Sequence, residues 1–585
     1  MVPADATARA HFPFRTYFEA RKLLCRAARV KPRRFRRRLR AGCPSTSGGT
    51  MSAADHPESV HAGIGVVAAP HHLAVEAGRN VLVEGGNALE AALAAAAAIA
   101  AVYPHMNHIG GDGFWLIRSP SGRVRYIEAC GYAGAKATPA FYRDRGFDAV
   151  PARGPLAALT VPGQIGGWQL ALDAAKALGG RMSLARLLEP AIHHARAGIP
   201  VSRSQAALTD EKLPELQDVP GFADTFLVDG KPPAECAVQR FPRLADTLDH
   251  LARAGLDDYY RGDVGREIAA DLERAGSPVT RADLQAYHAL TRPPLHVKLD
   301  TMELWGSQPP TQGLATLMIL GIFERLGVKR AEGFEHLHGL IEATKRAFLV
   351  RDRVVTDFGH LKHDPDEFLS PVALAREAAA IDSRRALPWP QVAPRGDTIW
   401  LGAADRSGVV VSYIQSIYWE FGSGLVLPGT GVLMQNRGSS FSLDAKAVNP
   451  LQPGRRPFHT LNPAMAALPD GRVVAFGTMG GEGQPQTNAA VLTRYATFGQ
   501  KLGEALARPR WVLGRTWGSD LVNLRLEPRF DPALADDLAR AGHDVAILPE
   551  PFSDVVGHAG AVVLHPRGAI EGAHDPRANG GAAGI

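Results

Sequence analysis

The 585-residue sequence lacks several features that would assign it to a special class of protein. Its longest apolar run, 91–103, has 13 residues and is mostly alanine, which is too short and too weakly hydrophobic to span a bilayer. Four cysteines are too few for a disulfide scaffold and fit a reducing compartment. The sequence also holds no P-loop, G-x-S-x-G elbow, H-E-x-x-H helix or EF-hand loop. What remains is ordinary globular composition, with 45% hydrophobic and 21% charged residues.

Basic charge is concentrated at the amino terminus. Residues 1–50 hold 13 Lys and Arg against two acids, so the rest of the chain has a net charge of −5 although the whole chain has +6. The Arg-rich run 31–40 has three interpretations: an arm for nucleic acid or anionic surfaces, a targeting peptide, or an extension outside the working protein, which then begins at Met51. We expect 1–50 to be disordered or mis-assigned. We expect no nucleic-acid or membrane partner, and a cytoplasmic location because no signal-type apolar run follows either start.

The body of the chain predicts a layered α/β domain. A strand at 63–70 is followed by an amphipathic helix and then by an alanine-rich helix that should be buried on all sides. We expect residues 180–380 to be a mainly helical insert. From Thr398 onward, strand patterns with Gly-containing turns dominate. Helix pairs beside antiparallel strands favour an α/β/β/α arrangement.

The junction at Asp397 and Thr398 is a candidate catalytic site, although such a junction can also be an ordinary strand start. A threonine hydroxyl is a poor nucleophile, but cleavage of the preceding bond frees an α-amine whose pKa of about 7.7–8 suits a general base. This chemistry needs an exposed connector before a threonine that leads a buried strand, and 387–400, with its Pro-rich part at 387–394, has that pattern. A two-residue turn after Asp405 would place Thr398 opposite Gln415, and a three-residue turn would place it opposite Ser416. Either register brings the Ser416 hydroxyl close.

Other segments offer groups that could complete a site. The Gly-rich segment 477–483 supplies close-approach backbone N–H groups for an oxyanion hole, or is simply a turn. Polar side chains follow a strand near 436 and a Pro-rich loop near 458; they are Arg437, Ser439, Ser440, His459 and Thr460. His105, His108 and Asp112 share one loop and could bind a metal, but we expect a structural role. The GGDG run 110–113 lacks the spacing of a phosphate loop.

From about 63 to 584 the chain resembles the γ-glutamyltransferase (glutathione hydrolase) family of N-terminal nucleophile hydrolases. The segments that carry the resemblance include 84–117, 421–436, 456–466 and 477–486. The resemblance implies a four-layer αββα sandwich, formed by both chains of a precursor that cuts itself between Asp397 and Thr398. The products would be a large chain, 51–397, and a small chain, 398–585, held as a heterodimer that could pair further.

The resemblance also implies roles for individual residues. Thr398 would be both the nucleophile and, through its freed amine, the base. Ser416 would hydrogen-bond the nucleophile, and Gly480 and Gly481 would form the oxyanion hole. The family chemistry needs no metal and no organic cofactor.

The positions that recognise a glutamyl group in transpeptidases differ here; they are occupied by Cys130, Tyr418, Arg437, Ser440, His459 and Thr460. Cys130 stands where an arginine clamps the glutamyl carboxylate, and this replacement set looks like the branch that contains oxamate amidohydrolase. Arg437 could hold the carboxylate of a small acid from the opposite side of the pocket, or form an ordinary ion pair. The expected function is a self-processing threonine amidohydrolase for an amide of a small acid. The alternatives are a glutathione hydrolase or γ-glutamyl transpeptidase with an altered pocket, and an inactive binding relative.

Overall fold

The computed structural model of the chain describes residues 58–389, 397–514 and 522–585. The expected N-terminal extension, 1–50, lies outside the described residues, and so does the part of the Pro-rich connector from 390 onward. Among the helices of the described ranges, none combines the length and the apolar character needed to cross a membrane.

Seventeen α-helices occur in the described residues. In chain order, α1 to α17 are His72–Val83, Ala88–Val102, Pro139–Arg143, Gln164–Ala177, Leu184–Ala197, Arg203–Leu216, Phe222–Phe226, Pro242–Ala254, Asp258–Arg261, Asp263–Ala275, Arg281–Ala286, Gly313–Arg325, Phe334–Val354, Pro371–Ala379, Gln484–Leu492, Leu502–Ala507 and Pro532–Arg540.

Nineteen β-strands occur in the same residues. In chain order, β1 to β19 are Val60–Ala62, Gly65–Ala69, Asp112–Arg118, Val124–Ala129, Ile199–Pro200, Val238–Gln239, Leu290–Arg292, Leu295–Lys298, Glu303–Gly306, Asp397–Asp405, Val410–Tyr418, Ala464–Ala467, Val473–Thr478, Trp511–Leu513, Leu524–Leu526, Val545–Ile547, Ala559–Leu564, Ile570–His574 and Gly581–Gly584.

Two seven-stranded antiparallel sheets form the centre of the fold. Sheet A has the order β1-β18-β17-β13-β12-β9-β8, and sheet B has the order β19-β2-β10-β11-β3-β4-β7. Their facing surfaces bury one apolar cluster to which both sheets contribute, including Phe114 and Trp400 from sheet B and Met465 and Val562 from sheet A. Alternating side chains of a strand point to opposite faces, so each sheet also has an outer apolar face.

Helices cover those outer faces. Helices α1 and α2 share a core with Val67, Leu401 and Val411 of sheet B, whereas α12, α13 and α15 share a core with the strands of sheet A. Helix α2 is buried along its whole length, as its alanine content predicts. Its start is fixed by a capping box, in which Asn87 Oδ1 accepts from the N–H of Glu90 while the Glu90 carboxylate accepts from the N–H of Asn87.

The segment 180–380 is mainly helical, but it is more than an insert. It supplies strand β7 to the edge of sheet B and strands β8 and β9 to the edge of sheet A. These three strands are only three or four residues long, and a pattern of alternation over so few residues is too weak to mark a strand between strongly helical segments.

The hairpin of β10 and β11 places the predicted nucleophile. Its turn has three residues, with Gly408 at a φ of +94°, and Ile399 pairs with Gln415. The pairing is irregular between Asp397 and Ile399, so that Asp397 pairs with Tyr418. Thr398 therefore lies at a bulge, the kind of irregularity that redirects a side chain beside an active site.

Three glycines make room for the indole of Trp400, two residues after Thr398. A Cβ added at Gly477 would lie 2.1 Å from Trp400 Cδ1, and one at Gly560 would lie 2.4 Å from its Cζ3. Gly402 is almost as close, at 2.7 Å from Cη2. The indole Nε1 donates to Ser412 Oγ over 2.9 Å. Because real Cβ atoms do not approach so closely, the tryptophan slot between the sheets depends on glycine, and it holds the start of β10 in place.

Candidate active site

Polar side chains from four neighbouring strands, β10, β11, β3 and β4, lie in a row across sheet B. Thr398 lies opposite the Ser416–Ile417 pair of β11, and Ser416 pairs with Asp112 at the start of β3. Extending the β3–β4 register by one position places Cys130 next in the row. Directly opposed residues of an antiparallel pair share a face of the sheet, so this row brings together a hydroxyl, a second hydroxyl, a carboxyl and a thiol.

Thr398 is fully buried, and its hydroxyl is held by a residue of the neighbouring helix. Gln484, the first residue of α15, donates from Nε2 to Thr398 Oγ1 over 3.4 Å. The other end of the same amide is fixed, since Gln484 Oε1 accepts from the N–H of Asn462 over 3.2 Å. The Gln484 amide therefore helps to fix the orientation of the Thr398 hydroxyl.

The glycine turn lies directly before α15. Gly480 and Gly481 have φ values of +113° and +53°, which is the left-handed region that favours glycine. A 3₁₀ turn, Gly481–Gly483, then leads into the helix. Backbone N–H groups at the start of such a turn point outward and carry partial positive charge, which suits a developing oxyanion.

A glutamine at the start of helix α12 supports this turn. Gln312 Nε2 donates to Gly481 O over 2.8 Å and to Thr460 O over 2.6 Å. Its own Oε1 accepts from Arg351 Nη1 over 3.0 Å, and Arg351 is ion-paired with Glu482 at 3.3 Å. One side chain thus fixes two separate backbone segments of the site, and a buried ion pair fixes that side chain.

Arg437 is buried but only partly hydrogen-bonded. Its Nη1 donates to Thr460 Oγ1 over 3.2 Å, and its guanidinium lies 3.8 Å from the ring centroid of Tyr418. Within the described residues, Nε and Nη2 have no hydrogen-bond partner. Burial lowers the pKa of Arg437 to about 10, so the group stays charged at neutral pH. Burying a cation whose hydrogen-bond donors are unpaired costs free energy unless an anion binds to those donors.

Asp112 and His459 form a second incomplete pair. Asp112 Oδ1 accepts from the N–H groups of Gly163 and Gly131 over 2.9 and 3.1 Å. Its Oδ2 lies 3.3 Å from His459 Nε2 without a hydrogen bond of good geometry. Burial raises the pKa of Asp112 to about 7, against the opposing effect of Arg437. Burial, with help from Arg437, lowers the pKa of His459 well below its usual value, so its ring is neutral.

The remaining predicted residues lie around this pocket in different roles. Tyr418 has a φ of +84°, and its N–H donates to Ser416 Oγ over 2.8 Å. The hydroxyls of Ser439 and Ser440 are turned to the backbone, donating to Asn436 O over 2.9 Å and to Phe458 O over 3.2 Å. Those two serines thus fix the loop around Arg437.

The loop of His105, His108 and Asp112 does not gather its side chains at one point. His108 Nδ1 accepts from the N–H of Leu433 over 3.1 Å, and His105 Nε2 lies 3.1 Å from Ser204 Oγ. The glycines of the GGDG run serve close packing, since a Cβ at Gly111 would lie 2.1 Å from Ser416 O.

A different group, His338, Glu342 and His543, does have metal-like spacing. However, Lys345 Nζ already binds Glu342 Oε1 over 2.7 Å, and the two histidine rings are hydrogen-bonded to each other over 2.9 Å. The ammonium group occupies the position that a cation would need.

Sequence reasoning missed three residues of the site. Gln484 and Gln312 gave no signal, because an isolated glutamine has no spacing pattern. Asp112 was considered only as a metal ligand. The pairing of β11 with β3 was the feature that could have placed it beside Ser416.

The family comparison agrees with this arrangement. Residues 74–585 match the family described as Gamma-glutamyltranspeptidase, which covers most of the chain. The chain therefore belongs to the γ-glutamyltranspeptidase family and is an N-terminal nucleophile hydrolase of that family, synthesised as a proenzyme.

Individual relatives narrow the position within the family. The chain is 51% identical over 521 residues to the oxamate amidohydrolase proenzyme of Klebsiella pneumoniae, covering 89% of this chain and 98% of the relative. It is 38% identical to the glutathione hydrolase-like YwrD proenzyme of Bacillus subtilis, with the same coverage. Among solved structures, cephalosporin acylase from Bacillus halodurans matches with a TM-score of 0.81 and 31% identity, over 92% of this chain and 99% of that structure.

Proposed function

We propose that the chain is a self-processing threonine amidohydrolase that cleaves the amide of a small acid such as oxamate. The observation that carries the proposal is the buried Arg437, whose Nε and Nη2 lack partners and suit a carboxylate. The similarity to an oxamate amidohydrolase proenzyme supports the same substrate class. The two chains produced by processing would together build the four-layer αββα fold.

The first step is cleavage of the chain. Thr398 Oγ adds to the carbonyl carbon of Asp397, and the C–N bond between the two residues breaks as its nitrogen takes up a proton. The product is an ester, which water hydrolyses to leave a carboxylate on Asp397 and a free α-amine on Thr398. The resulting heterodimer has a large chain that ends at 397 and a small chain, 398–585.

The second step is hydrolysis of the substrate. The amine of Thr398 takes the proton of Oγ while Oγ attacks the amide carbon, and the N–H groups of Gly480 and Gly481 stabilise the oxyanion. The amine returns the proton to the leaving nitrogen, and ammonia departs. Water then cleaves the acyl-enzyme ester, so oxamate and water give oxalate and ammonium.

Arg437 would fix the carboxylate next to the reacting carbon. The ring of Tyr418 stacks on the Arg437 guanidinium, and Tyr418 is the strand partner of Asp397, the residue before Thr398. The end of β11 therefore links the acid-binding group to the nucleophile. Ser416 Oγ holds the backbone of Tyr418, which supports this strained position. The Thr460 hydroxyl accepts a hydrogen bond from Arg437, and the ring of His459 lies next to the Asp112 carboxyl group.

A glutathione hydrolase or γ-glutamyl transpeptidase with an altered pocket is the competing function, favoured by the similarity to a glutathione hydrolase-like relative. The test compares ammonia release from oxamate with hydrolysis of γ-glutamyl-p-nitroanilide by the same purified enzyme. We expect turnover of oxamate that is lost in Thr398→Ala. Hydrolysis of the γ-glutamyl compound without any turnover of oxamate would support the competing function instead.

A further inference from the structure

The proposed binding site for the substrate acid, which we call the acid pocket, includes the side chains of Arg437 and Asp112. These two buried groups have opposite charges, and no hydrogen bond joins them. Arg437 Nη1 binds Thr460, and Asp112 Oδ1 binds two backbone N–H groups. Within the described residues, Nε and Nη2 of Arg437 have no hydrogen-bond partner, and Oδ2 of Asp112 has none of good geometry. The side chain of Gln435 also lies beside the Asp112 carboxyl group and favours its charged form, but burial has the larger effect. Both groups are no more than 1% exposed. Their charges nevertheless interact, so the empty pocket is balanced by one positive and one negative group.

A substrate carboxylate upsets this balance. Its arrival gives one guanidinium and two carboxylates in a site whose charged side chains are buried from solvent. Like charges in a shared low-dielectric site cannot all remain ionised, and one of them takes up a proton. A small substrate acid bound to Arg437 keeps its charge, which leaves Asp112 as the group to be neutralised.

We propose that Asp112 is the proton-coupled partner of Arg437, so that a substrate carboxylate binds together with one proton, which Asp112 carries on Oδ2 toward His459 Nε2. The inference rests on the proposed function, because it takes an anionic substrate as given. The step is an association of enzyme, anion and one proton from solvent, and no covalent bond changes. Asp112 is thus a specificity-determining residue that makes the pocket favour an acid at low pH.

The surroundings of Asp112 are suited to this role. The neutral ring of His459 presents a nitrogen lone pair at 3.3 Å when its proton is on Nδ1. In the absence of substrate, burial raises the pKa of Asp112 to about 7, which is close to neutral pH. The charge of Asp112 also helps to raise the pKa values of the ionisable side chains near it, which are therefore neutral between pH 6 and 9; they are Cys130, Tyr259, Tyr260, Tyr287 and Tyr413.

The expected pH dependence follows from this linkage. Affinity for the anion is fully present below the pKa of the empty site and falls roughly tenfold per pH unit above it. With a pKa near 7, the Michaelis constant for oxamate should rise by about two orders of magnitude between pH 6 and 9. The freed amine of Thr398 also titrates near pH 8, so the pH profile alone does not identify the group.

The decisive experiment counts protons on binding. Pyruvate has the shape of oxamate with a methyl group in place of the amide nitrogen, and it has no amide bond to hydrolyse, so it serves as a non-reacting probe of the site. Calorimetry of the self-cleaved enzyme at pH 8, in two buffers with different ionisation enthalpies, should show net proton uptake that approaches one proton per pyruvate. Asp112→Asn keeps the two backbone hydrogen bonds and should bind pyruvate with no proton uptake and with a Kd that changes little with pH.

A matched control is Glu128→Gln. Glu128 is another buried carboxyl group whose pKa burial raises to about 7, but it is ion-paired with Arg292 at 2.5 Å and Arg456 at 3.3 Å. This variant should keep the proton uptake of the wild type. If Asp112→Asn fails to self-cleave, infrared spectra of the wild type with isotopically labelled pyruvate provide the test: a protonated carboxyl band should appear on binding.

Each outcome separates the two proposals. Binding of pyruvate without proton uptake by the wild type would overturn the role of Asp112 and leave the acid pocket intact. Proton uptake that persists in Asp112→Asn would assign the proton to the Thr398 amine. This result would also overturn the role of Asp112. If neither pyruvate nor oxamate binds, the acid-amide function itself is wrong, and the role of Asp112 is wrong with it.

Discussion

Replacing Arg437 with alanine removes a buried guanidinium whose Nε and Nη2 are free to bind a substrate carboxylate. Each hydrogen bond to a charged group contributes about 1.5–3 kcal/mol, and loss of one partner leaves the other charge unpaired. For a two-pronged contact we expect a loss of about 3–4 kcal/mol. Since 1.4 kcal/mol is a factor of ten, kcat/KM for oxamate should fall roughly 10²- to 10³-fold.

The assay compares a charged with a neutral substrate. Oxamide carries an amide where oxamate carries its carboxylate, and it cannot use the guanidinium charge in the same way. Arg437→Ala should therefore lose much less activity toward oxamide than toward oxamate. Arg437→Lys keeps the positive charge but cannot form the two parallel hydrogen bonds of a guanidinium, so its activity toward oxamate should lie between those of the wild type and the alanine variant.

A control variant tests whether loss of any buried arginine gives the same result. Arg525 of strand β15 is also largely buried and donates from Nη2 to Gly514 O over 2.6 Å. Arg525→Ala should change the activities toward oxamate and oxamide by the same factor. Equal losses toward both substrates in Arg437→Ala would refute the carboxylate-binding role, and Arg437 would then be a structural residue.

Two further substitutions test how the site is supported. Gln312→Ala removes the side chain that links Gly481 to Thr460 through hydrogen bonds. In a steady-state assay kcat should fall about tenfold, with a smaller change in KM. An unchanged kcat would show that the glycine turn does not need this support. Gly477→Ala places a Cβ against the Trp400 indole at 2.1 Å, which should cost at least about 1–3 kcal/mol and lower Tm by several degrees. A Tm equal to that of the wild type would show that the indole slot has spare room.

The hairpin at the nucleophile shows how far sequence reasoning reaches. Turn chemistry limited the pairing of β10 with β11 to two registers, and the structure adopts the one with a three-residue turn. The bulge at Thr398 was not predictable, because it depends on the strained Tyr418 at the far end of the partner strand. Local turn rules determine the hairpin, and packing at its open end determines the direction of the Thr398 side chain.

The supporting contacts of the site were beyond prediction for a different reason. Gln312 and Gly481 are far apart in sequence, and so are Asp112 and His459. Such pairs meet only when both sheets are assembled, and neither member carries a local pattern. In contrast, the buried Ala-rich helix α2 and the glycine turn before α15 follow from local composition, and both occur where they were expected.

The proposed mechanism depends on self-cleavage before Thr398, and intact mass with N-terminal sequencing of the purified protein tests this cleavage most directly. We predict a small chain of 188 residues that begins at Thr398, together with a large chain that ends at 397. Thr398→Ala should give one uncut chain. An uncut wild-type chain with full activity, or a cut at the same bond in Thr398→Ala, would show that Thr398 is not the self-processing nucleophile.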